Sequence, residues 1–126
     1  MKLRHFFTIN LFFAVFFGLA CALFPRWVFQ LYGLPSDEAA VWVGRLIGGS
    51  ILGYATLMGF GRRSATVEAR KAIALAMFVQ DAISSIASVE LLLTGKSNAF
   101  CWLSLALYIL LTLGYAYFLF IRTKDI

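Results

Sequence analysis

Residues 99–121 read AFCWLSLALYILLTLGYAYFLFI and contain no charged side chain. Residues 6–24, FFTINLFFAVFFGLACALF, are equally free of charge. A helix rises about 1.5 Å per residue and the hydrocarbon core of a bilayer is about 30 Å thick, so roughly 20 apolar residues cross it. Each of these two stretches is therefore long enough to span a membrane as a helix.

Two further stretches have the same length and few charges. Residues 41–61 contain only Arg45, and residues 72–93 contain Asp81 and Glu90. None of the four stretches alternates apolar and polar residues as a transmembrane β-strand does. Because only helices and closed barrels satisfy their backbone hydrogen bonds in lipid, the sequence predicts an all-α fold. We expect one domain over the whole chain, an integral membrane four-helix up-down bundle.

The composition agrees with this interpretation. Of the 126 residues, 62% are hydrophobic and 13% are charged, whereas soluble domains average about 45–50% apolar and about 25% charged residues. An ordinary soluble domain is therefore excluded. The first uncharged run is also longer than the 7–15-residue core of a signal peptide, so we expect that span to be retained.

Positive charges are concentrated on one side of the predicted bundle. Eight lysines and arginines precede the first span, fill the second connection or follow the last span: Lys2, Arg4, Arg62, Arg63, Arg70, Lys71, Arg122 and Lys124. The other side has Arg26 and Lys96 together with Asp37 and Glu38. The positive-inside rule then places both termini in the cytoplasm. The net charge of +5 reflects this topology and does not indicate a nucleic-acid partner.

The first connection reads PRWVFQLYGLPSDE over residues 25–38. Pro25 should end the first helix, because it lacks an amide donor and clashes with the preceding turn. The aromatic and aliphatic residues that follow predict a short interfacial segment between helices 1 and 2. Ser36 is the predicted N-cap of the next helix, with Asp37 and Glu38 in its first turn.

Two charged side chains should lie near the outer ends of their spans. Arg45 in the second span and Glu90 in the third lie at a similar predicted depth. They could form a salt bridge between helices or extend to the headgroups. The alternative is an outward-facing polar pocket in which Arg45 meets an anionic ligand or headgroup.

Asp81 should lie close to the middle of the bilayer. A lone carboxylate there should be protonated or paired. Ser84, Ser85 and Ser88 follow on the same helix, and such a polar stripe must face other helices or water. The nine residues from Asp81 to Glu90 turn through about 180° at 100° per residue, so the two acids should belong to different sites.

Glycines mark one face of the second span. Gly48 and Gly49 lie there with Arg45, and small residues let helix backbones approach closely. This face should serve helix packing, or its missing side chains should leave room for a ligand. In the second case Asp81, the serines and the glycines would line a small cavity that opens toward Arg45.

The two cysteines lie at matching depths. Cys21 is near the outer end of the first span and Cys101 near the outer start of the last, so a disulfide between them is geometrically allowed. Cysteine is also common as a small buried hydrophobic residue. The sequence has no Cys-x-x-Cys pair, which a thiol-oxidising membrane enzyme would normally have.

The inventory of reactive residues is short. His5 is the one histidine, so a histidine-rich metal site and paired-histidine haem ligation within one chain are excluded. There is no P-loop, dinucleotide fingerprint or nucleophile elbow. We therefore predict no catalytic residue, metal or cofactor.

Two segments carry a resemblance to a known family. FPRWVFQLYGLP at 24–35 and VGRLIGGSILGYA at 43–55 resemble uncharacterised small bacterial four-span proteins that are DoxX-like in layout. The resemblance implies an inner-membrane helical bundle and no assigned reaction.

Three functions are compatible with the sequence. The preferred hypothesis is a non-catalytic membrane protein that binds membrane lipid, a hydrophobic small molecule or a membrane partner, including a second copy of itself. The alternatives are a small proton-coupled transporter or channel that uses Asp81, and a thiol-redox membrane enzyme that uses Cys21 and Cys101.

Overall fold

The computed structural model describes residues 2–64, 66–95 and 98–126, and within these ranges the chain is helical and contains no strand. Five α-helices follow one another along the chain: α1 (Leu3–Leu23), α2 (Pro25–Leu31), α3 (Glu38–Gly61), α4 (Val67–Leu93) and α5 (Ala99–Ala116). A π-helical turn at Tyr117–Ile121 extends α5, and a short 3₁₀ turn at Thr123–Asp125 follows it.

Four of the helices in the described ranges are long and apolar enough to cross a membrane: α1, α3, α4 and α5 with its π-helical extension. The predicted all-α membrane fold is thereby confirmed. Large apolar side chains cover the outside of the bundle, including Phe12 at 75% exposure and Phe16 at 72%. Such a surface suits contact with lipid tails and would be unfavourable in water.

The ends of α1 and α2 follow from Pro25 and Gly33. α1 stops at Leu23, and Pro25 becomes the first residue of α2, where its missing N–H costs no hydrogen bond. Gly33 follows α2 with φ of 70°, a left-handed conformation that glycine adopts without a Cβ clash.

The N-cap predicted for the next helix is wrong by one residue. Asp37 caps α3, and its carboxylate accepts a hydrogen bond from the Ala40 N–H at 2.8 Å. Ser36 instead turns its backbone carbonyl toward Arg26, whose guanidinium donates to it at 2.6 Å. Both residue types cap helices well, so sequence alone does not separate them.

The long helices pack as two close pairs, α1 with α3 and α4 with α5. Gly48 explains the first pair, because a Cβ there would lie 2.5 Å from the Ala22 backbone nitrogen and 2.8 Å from the Gly18 carbonyl oxygen. The two backbones are thus in direct contact. Helices α3 and α4, although consecutive in the chain, touch each other much less.

Aromatic side chains join the two pairs near the end of the bundle that holds both chain termini, here called the terminal end. The ring of Tyr115 on α5 contacts Phe6 edge-on, with centroids 4.7 Å apart, and lies 6.0 Å from Phe7. Phe7 and Tyr115 are fully buried. The opposite end of the bundle, which holds α2 and the α4–α5 connection, is called the loop end.

Candidate functional site

A cavity of about 600 Å³ lies between α3 and α4 and reaches from the loop end toward the middle of the bundle. It exists because α3 packs on α1 and α4 packs on α5, which leaves these two helices apart. Its lining includes side chains from all five helices: Phe17, Cys21, Val28, Phe29, Tyr32, Leu46, Ile47, Ser50, Ile51, Tyr54, Gln80, Ser84, Ala87, Ser88, Leu91 and Tyr108.

Helix α2 closes the loop end of this cavity, and α5 holds it in place. The Tyr32 hydroxyl lies 2.7 Å from the Ser104 hydroxyl, and the Asn98 amide donates to the Leu31 carbonyl at 2.7 Å. The Tyr32 ring also meets Phe100 edge-on at 4.8 Å. Burial raises the pKa of the Tyr32 phenol, and the hydrogen bond with Ser104 opposes that effect. These contacts fix the short helix as a lid over the cavity.

Three neutral polar side chains of the cavity form one wall, on α4. The Gln80 amide donates to the Ser84 hydroxyl at 3.1 Å, and the Ser88 hydroxyl donates to the Ser84 carbonyl at 2.8 Å. On the facing wall the Ser50 hydroxyl donates to the carbonyl of Leu46 at 3.0 Å. No lining residue in the described part of the chain is charged. The site is therefore apolar with a few neutral hydrogen-bonding groups, as is usual for small-molecule sites.

The cavity is open on its side between α3 and α4. Leu46, Ile47 and Ser50 line it and are also exposed, and so is Ala87 on the opposite helix. This side belongs to the apolar surface of the bundle. A molecule dissolved in the bilayer could thus enter without passing through water.

The structure brings two of the predicted site residues to this cavity, Ser84 and Ser88. Ser85 does not line it, and its hydroxyl donates to the Asp81 carbonyl at 2.8 Å. Asp81 itself is buried, 2% exposed, and its Oδ2 has no hydrogen-bond partner among the described residues. The carboxyl therefore lies in the interior of the bundle, outside the cavity wall.

The two predicted glycines have different surroundings. Gly48 is buried against α1, whereas Gly49 is exposed and a Cβ added there would meet nothing within 4 Å. The face around Gly48 thus serves helix packing, the first of its two predicted uses. Gly44 is the glycine that lines the cavity, and it lies against Pro25 and Phe29 of α2.

Arg45 and Glu90 are not joined. Both side chains are exposed, and within the described ranges the one ion pair is that of Arg122 with Asp125. The salt bridge allowed by their matched depths is therefore absent among the described residues. Neither residue lines the cavity. The predicted pocket in which Arg45 would bind an anionic group is therefore not this cavity. Glu90 is exposed whereas Asp81 is buried, so the two acids lie in different surroundings, as their helical spacing predicts.

Cys21 and Cys101 are both buried and carry free thiols. The Cys101 thiol donates to the Tyr32 carbonyl at 3.7 Å, and Cys21 contributes to the cavity wall. The structure thus has both cysteines as free thiols, without the disulfide that their depths allowed.

Five polar lining residues were not among the predicted site residues: Tyr32, Ser50, Tyr54, Gln80 and Tyr108. Tyr54 and Tyr108 lie well inside apolar spans, where a phenol needs a polar neighbour or water. A search for tyrosines at membrane depth would have found both. Tyr32 carries no comparable signal, because tyrosine is ordinary at a membrane interface.

Comparison with protein-family models, curated proteins and solved structures gave no match. The resemblance to DoxX-like membrane proteins therefore stays a prediction from the two sequence segments.

Proposed function

We propose that this protein is a non-catalytic membrane protein that binds a neutral, largely apolar small molecule or lipid in the cavity between α3 and α4. The observation that carries the proposal is the cavity itself, about 600 Å³ with an uncharged lining. Ligand sites are commonly about 300–1,000 Å³ with apolar walls and a few polar groups that orient the ligand. The size and chemistry of this cavity fall within that description.

The polar wall selects the kind of ligand. Gln80, Ser84 and Ser88 offer an amide and two hydroxyls, which suit an alcohol, ester or carbonyl group. A charged ligand would lose its hydration and find no opposite charge. We therefore propose a ligand with one or two neutral polar groups and an apolar body that extends through the open side toward the bilayer.

We further propose that the terminal end faces the cytoplasm of a bacterial inner membrane. The support is the concentration of arginine and lysine at that end. In this orientation the cavity and the α2 lid belong to the outer leaflet. A ligand would then be taken from, or returned to, the outer half of the bilayer.

The test uses the full chain in nanodiscs of phosphatidylcholine with a diazirine-bearing, short-chain diacylglycerol as probe. We expect photolabelling of α3 and α4 that saturates and that excess unlabelled diacylglycerol displaces. Lipid that merely surrounds the bundle would label all the long helices evenly and without saturation. Even, non-saturable labelling would overturn the proposal.

Two matched variants locate the site on α4. Ala87→Phe adds a ring at the open edge of the cavity, whereas Ala76→Phe adds the same ring at an exposed position outside its lining. We expect Ala87→Phe to remove most of the saturable labelling and Ala76→Phe to keep it. An equal effect of both variants would contradict the site.

A further inference from the structure

A second cavity, of about 860 Å³, lies at the terminal end of the bundle, opposite the α2 lid. Three separate segments of the chain form it: the start of α1, the α3–α4 connection with the first turns of α4, and the residues after α5. Its cationic lining is Lys2, Arg4, Arg62, Arg63, Arg70 and Lys124. This concave surface is called the basic pocket.

Acidic side chains contribute little to the basic pocket. Asp125 is the one acidic side chain in its described lining, and it pairs at 3.2 Å with Arg122, which lies outside that lining. No other ion pair occurs in residues 2–64, 66–95 and 98–126. Like charges that line one concave surface reinforce each other's field and attract an anion.

Arg70 gives the basic pocket a defined wall. Its guanidinium donates to the carbonyl of Ser64 and, at 3.2 Å, to the carbonyl of Ile126. The α3–α4 connection is thereby tied to the segment that follows α5. The Arg70 Nε is buried and has no hydrogen-bond partner among the described residues. The guanidinium of Arg70 is therefore a fixed part of the pocket wall.

The topology of a membrane protein explains part of this pattern. The positive-inside rule places lysine and arginine at the cytoplasmic end, but it does not require them to converge on one cavity. Lys71 illustrates the difference, because it lies at the same end, is exposed and does not line the basic pocket. The convergence of three segments is the observation that topology leaves unexplained.

We propose that the basic pocket binds a phosphate-bearing anion, either the headgroup of an acidic phospholipid or a soluble phosphate compound. Guanidinium groups match phosphate oxygens with paired N–H donors, and Arg4, Arg62 and Arg63 supply three of them. Basic pockets at the cytoplasmic ends of transmembrane helices are suited to acidic headgroups. This site is distinct from the cavity between α3 and α4 and does not depend on its function.

The test measures the thermal unfolding midpoint of the full chain in three settings. These are nanodiscs of phosphatidylcholine, nanodiscs of phosphatidylcholine with phosphatidylglycerol, and the first kind with inorganic pyrophosphate added. We expect the midpoint to rise with at least one of the two anions, and less so at high salt. A rise with phosphatidylglycerol alone assigns a lipid headgroup, and a rise with pyrophosphate assigns a soluble phosphate. No rise with either anion would overturn the proposal.

A pair of charge reversals separates the basic pocket from the general field of this end. Arg63→Glu reverses a charge in the lining, and Lys71→Glu reverses one outside it, both at exposed positions. We expect Arg63→Glu to weaken anion binding on the order of tenfold or more and Lys71→Glu to weaken it less than about twofold. Equal weakening by both reversals would show a diffuse attraction and would also overturn the proposal.

Discussion

The Asn10 amide of α1 donates a hydrogen bond to the Tyr115 hydroxyl of α5 at 2.8 Å, and both side chains are buried. The Tyr115 hydroxyl in turn donates to the Met58 sulfur of α3 at 3.4 Å. These two bonds link three long helices through one phenol. They tie the α1–α3 pair to α5.

We predict that Asn10 and Tyr115 are energetically coupled. Tyr115→Phe leaves the buried Asn10 amide without its acceptor, so it should cost more in the parent chain than in an Asn10→Leu background. Hydrogen bonds between transmembrane helices contribute about 0.6–2 kcal/mol, and we expect a coupling energy of roughly 1 kcal/mol. The measurement is the unfolding free energy, in bicelles, of the parent chain, the two single variants and the double variant. Additive effects of the two substitutions would contradict the coupling.

The two adjacent glycines of α3 should respond differently to a methyl group. Gly48→Ala pushes a Cβ into the α1 backbone at Ala22, so we predict destabilisation of about 1–3 kcal/mol. Gly49→Ala adds the same atom where nothing lies within 4 Å, and alanine favours helix over glycine by roughly 1 kcal/mol. Unfolding free energies of both variants test this. Equal destabilisation would argue against a close α1–α3 contact.

The lid should loosen at high pH. The raised pKa of Tyr32 means that its neutral form is favoured when folded, so this stabilisation is fully present below the ordinary value of 10.0 and is lost as the pH rises further. Thermal unfolding between about pH 8 and pH 11 should show the decline. In Tyr32→Phe the decline should be smaller, although that variant starts from lower stability because Ser104 loses its partner. An unchanged slope would contradict this role of Tyr32.

Asp81 should be dispensable for binding in the cavity. The residue is buried outside the cavity wall, and Asn has nearly the same shape without a titratable group. We therefore expect Asp81→Asn to keep the saturable diacylglycerol labelling and the unfolding midpoint of the parent chain. Proton flux in proteoliposomes examines the transporter alternative, which requires this carboxyl. Flux by the parent chain that Asp81→Asn abolishes would favour transport over passive binding.

Composition was sufficient to predict the long helices, because stretches of this length and apolarity have few other stable states in a membrane. Their boundaries were predictable in part. The second connection predicts a cap at Ser64 or Thr66, with Glu68 to Lys71 extending the helix beyond the apolar stretch, and α4 begins at Val67 with Thr66 as its N-cap. The backbone hydrogen bonds of a helix can continue past the end of its apolar stretch. The N-cap of α3 was harder to predict, because Ser36 and Asp37 are neighbours and both residue types cap helices well.

The site was less predictable than the fold. The polar stripe of Ser84, Ser85 and Ser88 was predicted to face other helices or water, but such a stripe does not say which helix it meets. Gly48 faces α1 instead of a ligand, and the cavity formed where α3 and α4 diverge. Tyr54 and Tyr108 came to the cavity through packing between helices distant in the sequence. The basic residues were interpreted as topological signals, and their convergence became visible only in three dimensions.

The tight pairing of α1 with α3 and of α4 with α5 also bears on biosynthesis. Each close pair consists of long helices that follow one another along the chain, so its partners leave the ribosome in succession. The first hairpin has its whole Gly18–Gly48 contact before α4 has been translated. Assembly then requires only the docking of two finished halves, and the vacant space between α3 and α4 is left along the seam where they meet.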